Sequence, residues 1–337
     1  MARDNEEPNV YRSHNARPRV FVVRRLPAPI EDQLRSRYDV DLNASDETYP
    51  LERLVASARD FDAIVPTVVD TVPAAVFEAE PPRVRIVANF GVGFDRIDLA
   101  AARKHGIVVT NTPGVLTEDT ADLAMMLLLA AARRASEGER QLRAGEWEGW
   151  RPTHMLGTRV TGATLGIVGF GRIGAAVAKR AHRGFGMRIL YVNPRVPDAS
   201  ATADSMAERC ESLDELLERS DFVSLHVPAR EDTRRMLDAR RIGLMRRSAI
   251  LVNTARGDLV DEAALVDALQ RRHLSAAGLD VFEREPFVSA QLQSLSNVVL
   301  LPHLGSATTA SRVAMGERVL ANLDAFFRGE APPDRIA

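Results

Sequence analysis

The chain has 337 residues, of which 45% are hydrophobic and 27% are charged, a composition typical of a globular protein with room for two domains. Its formal net charge of −2 argues against a nucleic-acid partner, and its single cysteine, Cys210, excludes an internal disulfide framework and argues against a cysteine-based zinc site. Segment 1–18 is polar and typical of a flexible tail, and the most apolar helical run, 123–132, is too short to cross a bilayer. We therefore expect a cytoplasmic protein without a metal site or a membrane partner.

In chain order, short apolar runs alternate with helical patterns, which predicts a parallel α/β architecture. The strand candidates of the first block are residues 20–23, 63–65, 84–88 and 107–109. Helical patterns lie between them, for example at 51–58 and 99–105.

A mostly helical segment at 117–143 separates the first block from the second. After it, a stretch broken by Gly and Pro holds both tryptophans, Trp147 and Trp150. This stretch is either a loop closed by packed aromatic side chains or an arm that contacts another subunit.

The second block is more regular than the first. Its strand candidates are 164–168, 188–192, 222–227, 249–253, 275–280 and 297–301, and its helical segments include 173–183, 213–218 and 262–271. Because these strands are continuous runs rich in Val, Ile and Leu, they suit a parallel sheet covered on both faces. A last helix at 309–328 is expected to pack back onto the first block.

A glycine-rich turn, Gly169-Phe170-Gly171-Arg172-Ile173-Gly174, stands between the first strand of the second block and its first helix. The first glycine permits a tight turn, the second leaves room for a pyrophosphate, and the third lets helix and strand pack closely. The helix N-terminus then offers free N–H groups to the phosphates. The same glycine pattern occurs in turns without a ligand, but the strand–turn–helix order favours a nicotinamide dinucleotide site.

The next strand ends at Asn193-Pro194-Arg195, where an acid about twenty residues beyond the glycines normally binds the adenosine ribose. No acid is present, and the Arg195 guanidinium could hold a 2′-phosphate that a carboxylate would repel. We therefore favour NADP(H). The alternative is that Arg195 is a solvated loop residue and that the cofactor is NAD(H).

Three charged or titratable residues follow successive late strands: Arg256, Glu285 and His303. Because ligands bind at the carboxyl ends of strands in an open α/β sheet, we expect these residues to converge near the nicotinamide. Hydride transfer to a ketone leaves negative charge on oxygen, and His303 is a suitable proton donor whose charged form Glu285 would favour. Arg256 is a natural clamp for a substrate carboxylate. Taken singly, each residue is more often structural, but together they favour catalysis.

These residues resemble the D-isomer-specific 2-hydroxy-acid dehydrogenases over about residues 84–329. The resemblance is carried by segments 89–98, 166–174, 252–257, 278–286 and 301–308. It implies two Rossmann-like or flavodoxin-like lobes with parallel sheets, an active site in the interdomain cleft, and usually a homodimer. The implied substrate-binding domain comprises 19–112 and 303–337, and the implied dinucleotide-binding domain comprises 113–302 with a dimerisation arm near 117–160.

The resemblance also assigns roles to residues. It implies a substrate-binding and catalytic role for Arg256, an acid/base role for His303 and a supporting role for Glu285. Backbone N–H groups of Gly91, Val92 and Gly93 would bind the substrate carboxylate. The residues implied to contact the cofactor are Gly169, Phe170, Gly171, Arg172, Ile173, Gly174, Asn193, Arg195, Val227, Pro228, Thr233, Thr254, Ala255, Arg256, Asp280, His303 and Ser306. Asp280 would contact the nicotinamide amide.

Within the family, the tryptophan arm, the Asn193–Arg195 loop and the segment 302–308 are similar to glyoxylate and hydroxypyruvate reductases. We therefore expect NAD(P)H-dependent reduction of a small 2-keto acid, such as glyoxylate, hydroxypyruvate or 2-ketogluconate, to the D-2-hydroxy acid. The alternative is a dinucleotide-sensing binding protein of the same fold, similar to the related transcriptional corepressors.

Overall fold

The computed structural model describes residues 17–197 and 199–337. The flexible tail expected at 1–18 lies almost wholly outside these residues. The chain divides into two compact units, the first made of the residues up to Pro113 together with Val313–Ala337, and the second made of Gly114–Arg312.

The first unit contains a five-stranded parallel sheet in the order β2-β1-β3-β4-β5. Its strands are β1 (Arg19–Val22), β2 (Asp39–Leu42), β3 (Ala63–Val65), β4 (Ile86–Ala88) and β5 (Val108–Thr110). The helices between them are α1 (Ala28–Arg37), α2 (Leu51–Asp60), α3 (Ala74–Phe77) and α4 (Leu99–Lys104). Four of these strands are the predicted ones; β2 has one exposed and three half-buried residues at the sheet edge, so its sequence lacks an apolar run.

The second unit contains a seven-stranded parallel sheet in the order β12-β11-β10-β9-β6-β7-β8. Its strands are β6 (Thr164–Val168), β7 (Arg188–Val192), β8 (Glu208–Arg209), β9 (Phe222–Leu225), β10 (Ile250–Asn253), β11 (Ala276–Leu279) and β12 (Val298–Leu300). Its helices are α5 (Thr117–Ala132), α6 (Ala135–Arg143), α7 (Arg172–Phe185), α8 (Ala199–Ala203), α9 (Leu213–Arg219), α10 (Ala239–Leu244), α11 (Glu262–Gln270) and α12 (Ala290–Ser294).

The central strands of this sheet are buried on both faces, as their continuous apolar runs predicted. In β10, Ile250 and Val252 join one hydrophobic cluster, whereas Leu251 between them joins the other. Full burial of such a side chain stabilises the fold by about 1.5–3 kcal/mol. Because all strands are parallel, the loops after them share one edge of the sheet. Strand β6 lies between β7 and β9, where the order in which successive strands are added to the sheet reverses.

The predicted helical segment 117–143 is two helices, α5 and α6. The chain breaks at Arg134, whose φ of 53° is left-handed, and the Arg134 guanidinium donates to both carboxylate oxygens of Glu137 at 2.7 and 2.9 Å. The following stretch contains no helix or strand, and Trp147 and Trp150 are 52% and 81% exposed. The interpretation of a loop closed by packed aromatics is therefore wrong for this chain.

The last helix, α13 (Thr309–Phe327), packs from Val313 onward in the first unit, as expected. A Cβ at Gly316 would lie 2.4 Å from Cγ1 of Ile30, so glycine permits close contact with α1. Asp324 accepts hydrogen bonds from Arg37 and Tyr38. None of the described helices is both long enough and apolar enough to span a bilayer.

Candidate active site

His303 and Glu285 form a hydrogen-bonded pair in the second unit. His303 follows β12, and its Nδ1 lies 2.8 Å from Oε2 of Glu285 in the loop after β11. The His303 backbone is left-handed at φ 56°, and its N–H donates to the Asp280 carbonyl at 2.9 Å. The main chain at His303 is therefore held by Asp280 and the imidazole by Glu285, and the contact at Nδ1 leaves Nε2 for a ligand.

The Glu285 side chain is only 16% exposed. Burial raises the pKa of Glu285, but the hydrogen bond and charge of His303, the Phe282 N–H and the charge of Arg256 together bring it below its ordinary value. The Phe282 N–H donates to Oε1 at 3.1 Å. Glu285 is therefore a carboxylate at neutral pH, oriented at one oxygen by backbone and at the other by His303.

Asp280 has no exposed surface, and its carboxylate accepts the N–H groups of Leu304 at 2.6 Å and Gly305 at 2.8 Å. Burial raises the pKa of Asp280, while these two N–H groups and the charge of His303 oppose the rise. The Asp280 side chain thus holds the loop that carries His303. Its expected contact with the nicotinamide amide stays a prediction.

Arg256 follows β10 on a loop that is held by a neighbouring amide. Asn253 Nδ2 donates to the Arg256 carbonyl at 2.8 Å, and Asn253 Oδ1 accepts the Ala255 N–H at 3.0 Å. Gly257 allows this loop to approach the one after β11, because a Cβ there would lie 1.9 Å from the carbonyl carbon of Phe282. The loops that carry Arg256 and Glu285 are therefore in direct backbone contact.

The glycine turn between β6 and α7 is shaped by packing at two positions and open at the third. Gly169 has φ of 94°, and a Cβ there would lie 2.6 Å from the His226 carbonyl oxygen. A Cβ at Gly174 would lie 2.1 Å from the Gly169 carbonyl oxygen, whereas a Cβ at Gly171 would meet nothing within 4 Å. Helix α7 begins at Arg172 without a side-chain cap, so the N–H groups of its first turn face this open space.

Asn193, after β7, joins the glycine turn to the predicted ribose loop. Its Oδ1 accepts the Phe170 N–H at 3.0 Å, and its Nδ2 donates to the Arg195 carbonyl at 2.7 Å. Both ends of this amide are therefore engaged with backbone. Arg195 is exposed, which leaves its guanidinium accessible to a ligand.

The loop after β9 carries three residues predicted to line the cofactor: Val227, Pro228 and Thr233. The Thr233 hydroxyl donates to the Pro228 carbonyl at 2.8 Å and accepts the Arg230 N–H at 2.8 Å. These bonds close the loop on itself. Thr233 therefore shapes the loop, and its contact with a cofactor stays a prediction.

His226 begins this loop and supports the glycine turn from the β9 side. Its Nε2 lies 2.8 Å from the Ser224 hydroxyl, and its N–H donates to the Val168 carbonyl at 2.7 Å. Burial lowers the pKa of His226 to about 4. The imidazole is therefore neutral at physiological pH and has a structural role at the sheet edge.

Thr254 indicates that this edge of the sheet accommodates a ligand. Its Oγ1 is buried and has no hydrogen-bond partner among the described residues. An unpaired buried hydroxyl costs about 1–3 kcal/mol, which a polar group of a ligand would offset. Together with the open space at Gly171 and the uncapped start of α7, this hydroxyl fits a dinucleotide.

The remaining predicted cofactor residues, Ile173, Ala255 and Ser306, lie in α7 and in the loops after β10 and β12. The second unit thus brings every predicted cofactor residue and all three predicted catalytic residues to loops at the carboxyl edge of one sheet, or to the start of the helix that follows. Within residues 17–197 and 199–337, no three His, Cys, Asp or Glu side chains come together as metal ligands.

Gly91, Val92 and Gly93 lie in the first unit, in the loop after β4. A Cβ at Gly91 would lie 1.9 Å from Cγ1 of Val68, so packing requires glycine there. The Gly91 N–H donates to the Asn89 carbonyl at 3.0 Å. The Gly91 N–H is therefore engaged within the loop, and the expected contact of Gly91, Val92 and Gly93 with the substrate carboxylate stays a prediction.

The sequence interpretation missed the asparagines that hold these loops: Asn89, Asn111 and Asn253. Asn89 and Asn111 directly follow β4 and β5, and Asn253 is the last residue of β10, so position at a strand end is the signal that could have identified them. It also missed Thr120, whose hydroxyl donates to the Gly305 carbonyl at 2.9 Å from within α5. Nothing in the local sequence relates α5 to a loop so far along the chain.

Comparison with known proteins agrees with this geometry. The family model for the D-isomer specific 2-hydroxyacid dehydrogenase, NAD binding domain, matches residues 125–305. A glyoxylate reductase from Thermococcus kodakarensis is 48% identical over 325 residues, which cover 95% of this chain and 96% of that protein. The chain belongs to the D-isomer specific 2-hydroxyacid dehydrogenase family. It is an oxidoreductase that uses a nicotinamide dinucleotide.

Other relatives of this dehydrogenase align over a similar share of the chain. A glyoxylate reductase from Korarchaeum cryptofilum is 49% identical over 326 residues, with 95% of this chain and 96% of that protein covered. The crystal structure of an NADPH-dependent glyoxylate/hydroxypyruvate reductase from Sinorhizobium meliloti, in complex with NADP and malonate, is 36% identical with a TM-score of 0.85, and covers 96% of this chain and 97% of that one. The predictions of the family and of an α/β fold with two parallel sheets are confirmed. The corepressor-like alternative is not favoured.

Proposed function

We propose that this dehydrogenase reduces glyoxylate and hydroxypyruvate with NADPH, and that Arg256, Glu285 and His303 carry the reaction. The observation that carries the proposal is the His303–Glu285 hydrogen bond of 2.8 Å at the edge of the sheet that also holds the glycine turn. A carboxylate–imidazole pair at the same sheet edge as a dinucleotide turn supplies the proton donor that hydride chemistry needs.

When bound, the reduced nicotinamide supplies the hydride that C2 of the keto acid receives. The chain supplies the proton: imidazolium His303 gives the proton on Nε2 to the carbonyl oxygen as the C=O bond becomes C–OH. The Nδ1–H of His303 stays hydrogen-bonded to Glu285, so the product state is a neutral imidazole held in one tautomer. One hydride and one proton together convert the 2-keto acid to a 2-hydroxy acid.

Arg256 orients the substrate in this proposal. Its guanidinium is always charged and binds a carboxylate or a developing alkoxide in a defined plane. Its charge already reaches Glu285, whose pKa it helps to lower. The hydrogen bond from Asn253 to the Arg256 carbonyl holds the main chain from which this side chain extends.

NADP(H) preference is supported by two features. The expected ribose position holds Asn193, whose amide bonds to backbone at both ends, in place of a carboxylate, and exposed Arg195 can pair with a 2′-phosphate. The Sinorhizobium meliloti relative is itself NADPH-dependent and was solved with NADP.

The substrate assignment rests on relatives, because the glyoxylate reductases align with 95% of this chain. A homodimer is supported by Trp147 and Trp150, which expose large apolar surfaces on a single chain, as does Leu156 at 68%. Such residues are typical of an interface that a second copy covers.

The experiment is a substrate panel followed by NAD(P)H absorbance. Glyoxylate, hydroxypyruvate and 2-ketogluconate are each tested with NADPH and with NADH at equal concentration. Turnover of glyoxylate or hydroxypyruvate with NADPH and weaker turnover with NADH is expected. Clear preference for NADH would contradict the cofactor assignment, and no turnover of any 2-keto acid would contradict the function.

A further inference from the structure

The loop after β4 in the first unit has all three of its central carbonyls tied back by side-chain amides. Asn89 Nδ2 donates to the Gly91 carbonyl at 3.2 Å and to the Gly93 carbonyl at 2.8 Å. Asn111, which follows β5, donates from Nδ2 to the Val92 carbonyl at 2.9 Å. Two asparagines that follow adjacent strands therefore hold three consecutive carbonyls.

Peptide geometry turns this clamp into a directional statement about donors. None of the peptide bonds between Gly91 and Phe94 is cis, and a trans peptide directs its C=O and N–H to opposite sides. The carbonyls of Gly91, Val92 and Gly93 are held by buried amides, so the N–H groups of Val92, Gly93 and Phe94 each point away from the asparagine that holds the carbonyl of the same peptide. Among the described residues, none of these N–H groups donates to a backbone or side-chain acceptor.

The direction of exposure agrees with the direction of the donors. Asn89 and Asn111 are 1% and 7% exposed, whereas Val92 and Gly93 are half-buried and Phe94 is 37% exposed. Backbone N–H groups that no protein acceptor uses are the donors from which loops build anion sites. The substrate of a 2-keto-acid reductase is an anion with a carboxylate next to the reacting carbonyl.

Asn89 tolerates a cost to make these bonds. Its two amide hydrogens are both used on carbonyls, which fixes the orientation of the amide, and its Oδ1 is buried with no partner among the described residues. An unpaired buried amide oxygen lowers the stability of the fold, so stability alone does not explain an asparagine at this position. A role for the NH2 group in holding the loop does explain it.

We propose that Asn89 and Asn111 are positioning residues for substrate binding: they aim the backbone N–H groups of Val92, Gly93 and Phe94 at the carboxylate of the 2-keto acid. This inference rests on the proposed function for the identity of the anion. In this inference the two asparagines of the first unit control KM for the keto acid.

The test compares three alanine variants in the full-length protein. Asn89→Ala and Asn111→Ala each remove one part of the clamp. Asn43→Ala is the matched control, because Asn43 is also 1% exposed in the same unit and its Nδ2 donates to two backbone carbonyls, Val23 at 2.9 Å and Glu47 at 2.7 Å, after a different strand. All three lose a buried amide that holds a loop, so they should lower Tm similarly.

Only the clamp variants should change substrate affinity. We expect KM for glyoxylate to rise at least about tenfold in Asn89→Ala, because a misdirected N–H loses a hydrogen bond to a charged group. The kcat at saturating glyoxylate and the Kd for NADPH should stay within about threefold of the original protein. Asn89→Asp, which is isosteric but places an oxygen against two carbonyls, should raise KM further than alanine.

A binding measurement separates this inference from the proposed function. Oxamate, a non-reacting analogue with a carboxylate beside a carbonyl, is titrated into the NADPH-loaded proteins. The original protein could fail to turn over glyoxylate while the clamp variants weaken oxamate binding and Asn43→Ala does not. That result would contradict the proposed function and support the positioning role of the two asparagines. If KM and oxamate affinity in both clamp variants match those of Asn43→Ala, the asparagines are only structural and the inference is wrong. Should Asn89→Ala fail to fold, the more exposed Asn111→Ala decides by the same criteria.

Discussion

Nδ1 of His303 lies 2.8 Å from Oε2 of Glu285, and the opposite Glu285 oxygen accepts a backbone N–H. The carboxylate is thus fixed at both ends before any substrate arrives. A side chain held in this way loses little further entropy when it supports a charged imidazole during reaction. The short contact and the lowered pKa of Glu285 both favour a carboxylate that is paired with His303.

Glu285→Gln should impair reduction. The amide keeps the shape of the side chain but cannot stabilise imidazolium His303, so kcat for glyoxylate reduction should fall about 10²-fold. Because the pKa of Glu285 lies below its ordinary value of 4.5, the original protein should show no acid limb from this group near neutrality.

The control for this variant is Glu283→Gln. Glu283 lies on the same loop and pairs with Arg235 at 2.6 Å. It should leave both kcat and the pH profile almost unchanged. An equal loss of kcat in the two variants, or an acid limb from Glu285 near neutrality in the original protein, would count against the proposed pair.

His226→Gln should flatten the pH dependence of stability. The pKa of His226 is lowered to about 4 in the folded protein and is 6.5 in the unfolded chain, so below pH 6.5 the unfolded state binds the additional proton. The free energy of unfolding should therefore decrease by about 2 kcal/mol between pH 7 and pH 5 on account of this residue. Gln keeps a polar atom near Ser224 but does not titrate.

Urea unfolding of the original protein and the variant at the two pH values measures this effect. His105→Gln serves as the control, since His105 is exposed at the end of α4. If His226→Gln and His105→Gln show the same pH dependence, burial does not keep His226 neutral.

Gly171→Ala should weaken cofactor binding without harming the fold. A Cβ there meets nothing within 4 Å, and φ of −84° is accessible to alanine, so Tm should change little. The methyl group would enter the space assigned to the pyrophosphate, and Kd for NADPH should rise at least about tenfold. Fluorescence titration with NADPH measures it.

Gly184→Ala is the matched control for Gly171→Ala. Gly184 lies in the same helix, α7, and its Cβ would likewise meet nothing within 4 Å. Unchanged NADPH affinity in both variants would show that the phosphates do not pass over Gly171.

Arg195→Ala should change which cofactor is preferred. Loss of a charge-assisted contact to the 2′-phosphate should raise KM for NADPH about tenfold and leave KM for NADH almost constant. Arg247→Ala removes the same charge from an exposed site just before β10, at the opposite edge of the sheet, and should affect neither. A parallel change for both cofactors in Arg195→Ala would exclude selective phosphate recognition.

The strands were predictable wherever burial on both faces demanded a continuous apolar run, as in β6 and β10. The edge strands β2 and β8 were missed because neither contains a continuous apolar run: Asp alternates with Val and Leu in the four residues of β2, and β8 is Glu-Arg. The break at Arg134 depends on a left-handed backbone that a bidentate contact with Glu137 stabilises, which periodicity does not show.

The candidate site was predictable to the level of strand ends. Parallel strands bring their following loops together, so Arg256, Glu285 and His303 could be grouped without coordinates. The amide clamps at Asn89 and Asn193 could not, because a side chain that bonds to backbone depends on the path of the loop and leaves no periodic signal.

The most direct measurement is NADPH oxidation with glyoxylate by the original protein and by His303→Gln, with NADPH affinity measured on the same samples. We expect turnover by the original protein, a loss of kcat of about 10²–10⁴-fold in the variant, and nearly equal Kd values for NADPH. Residual kcat within about tenfold of the original at equal NADPH affinity would contradict His303 as the proton donor.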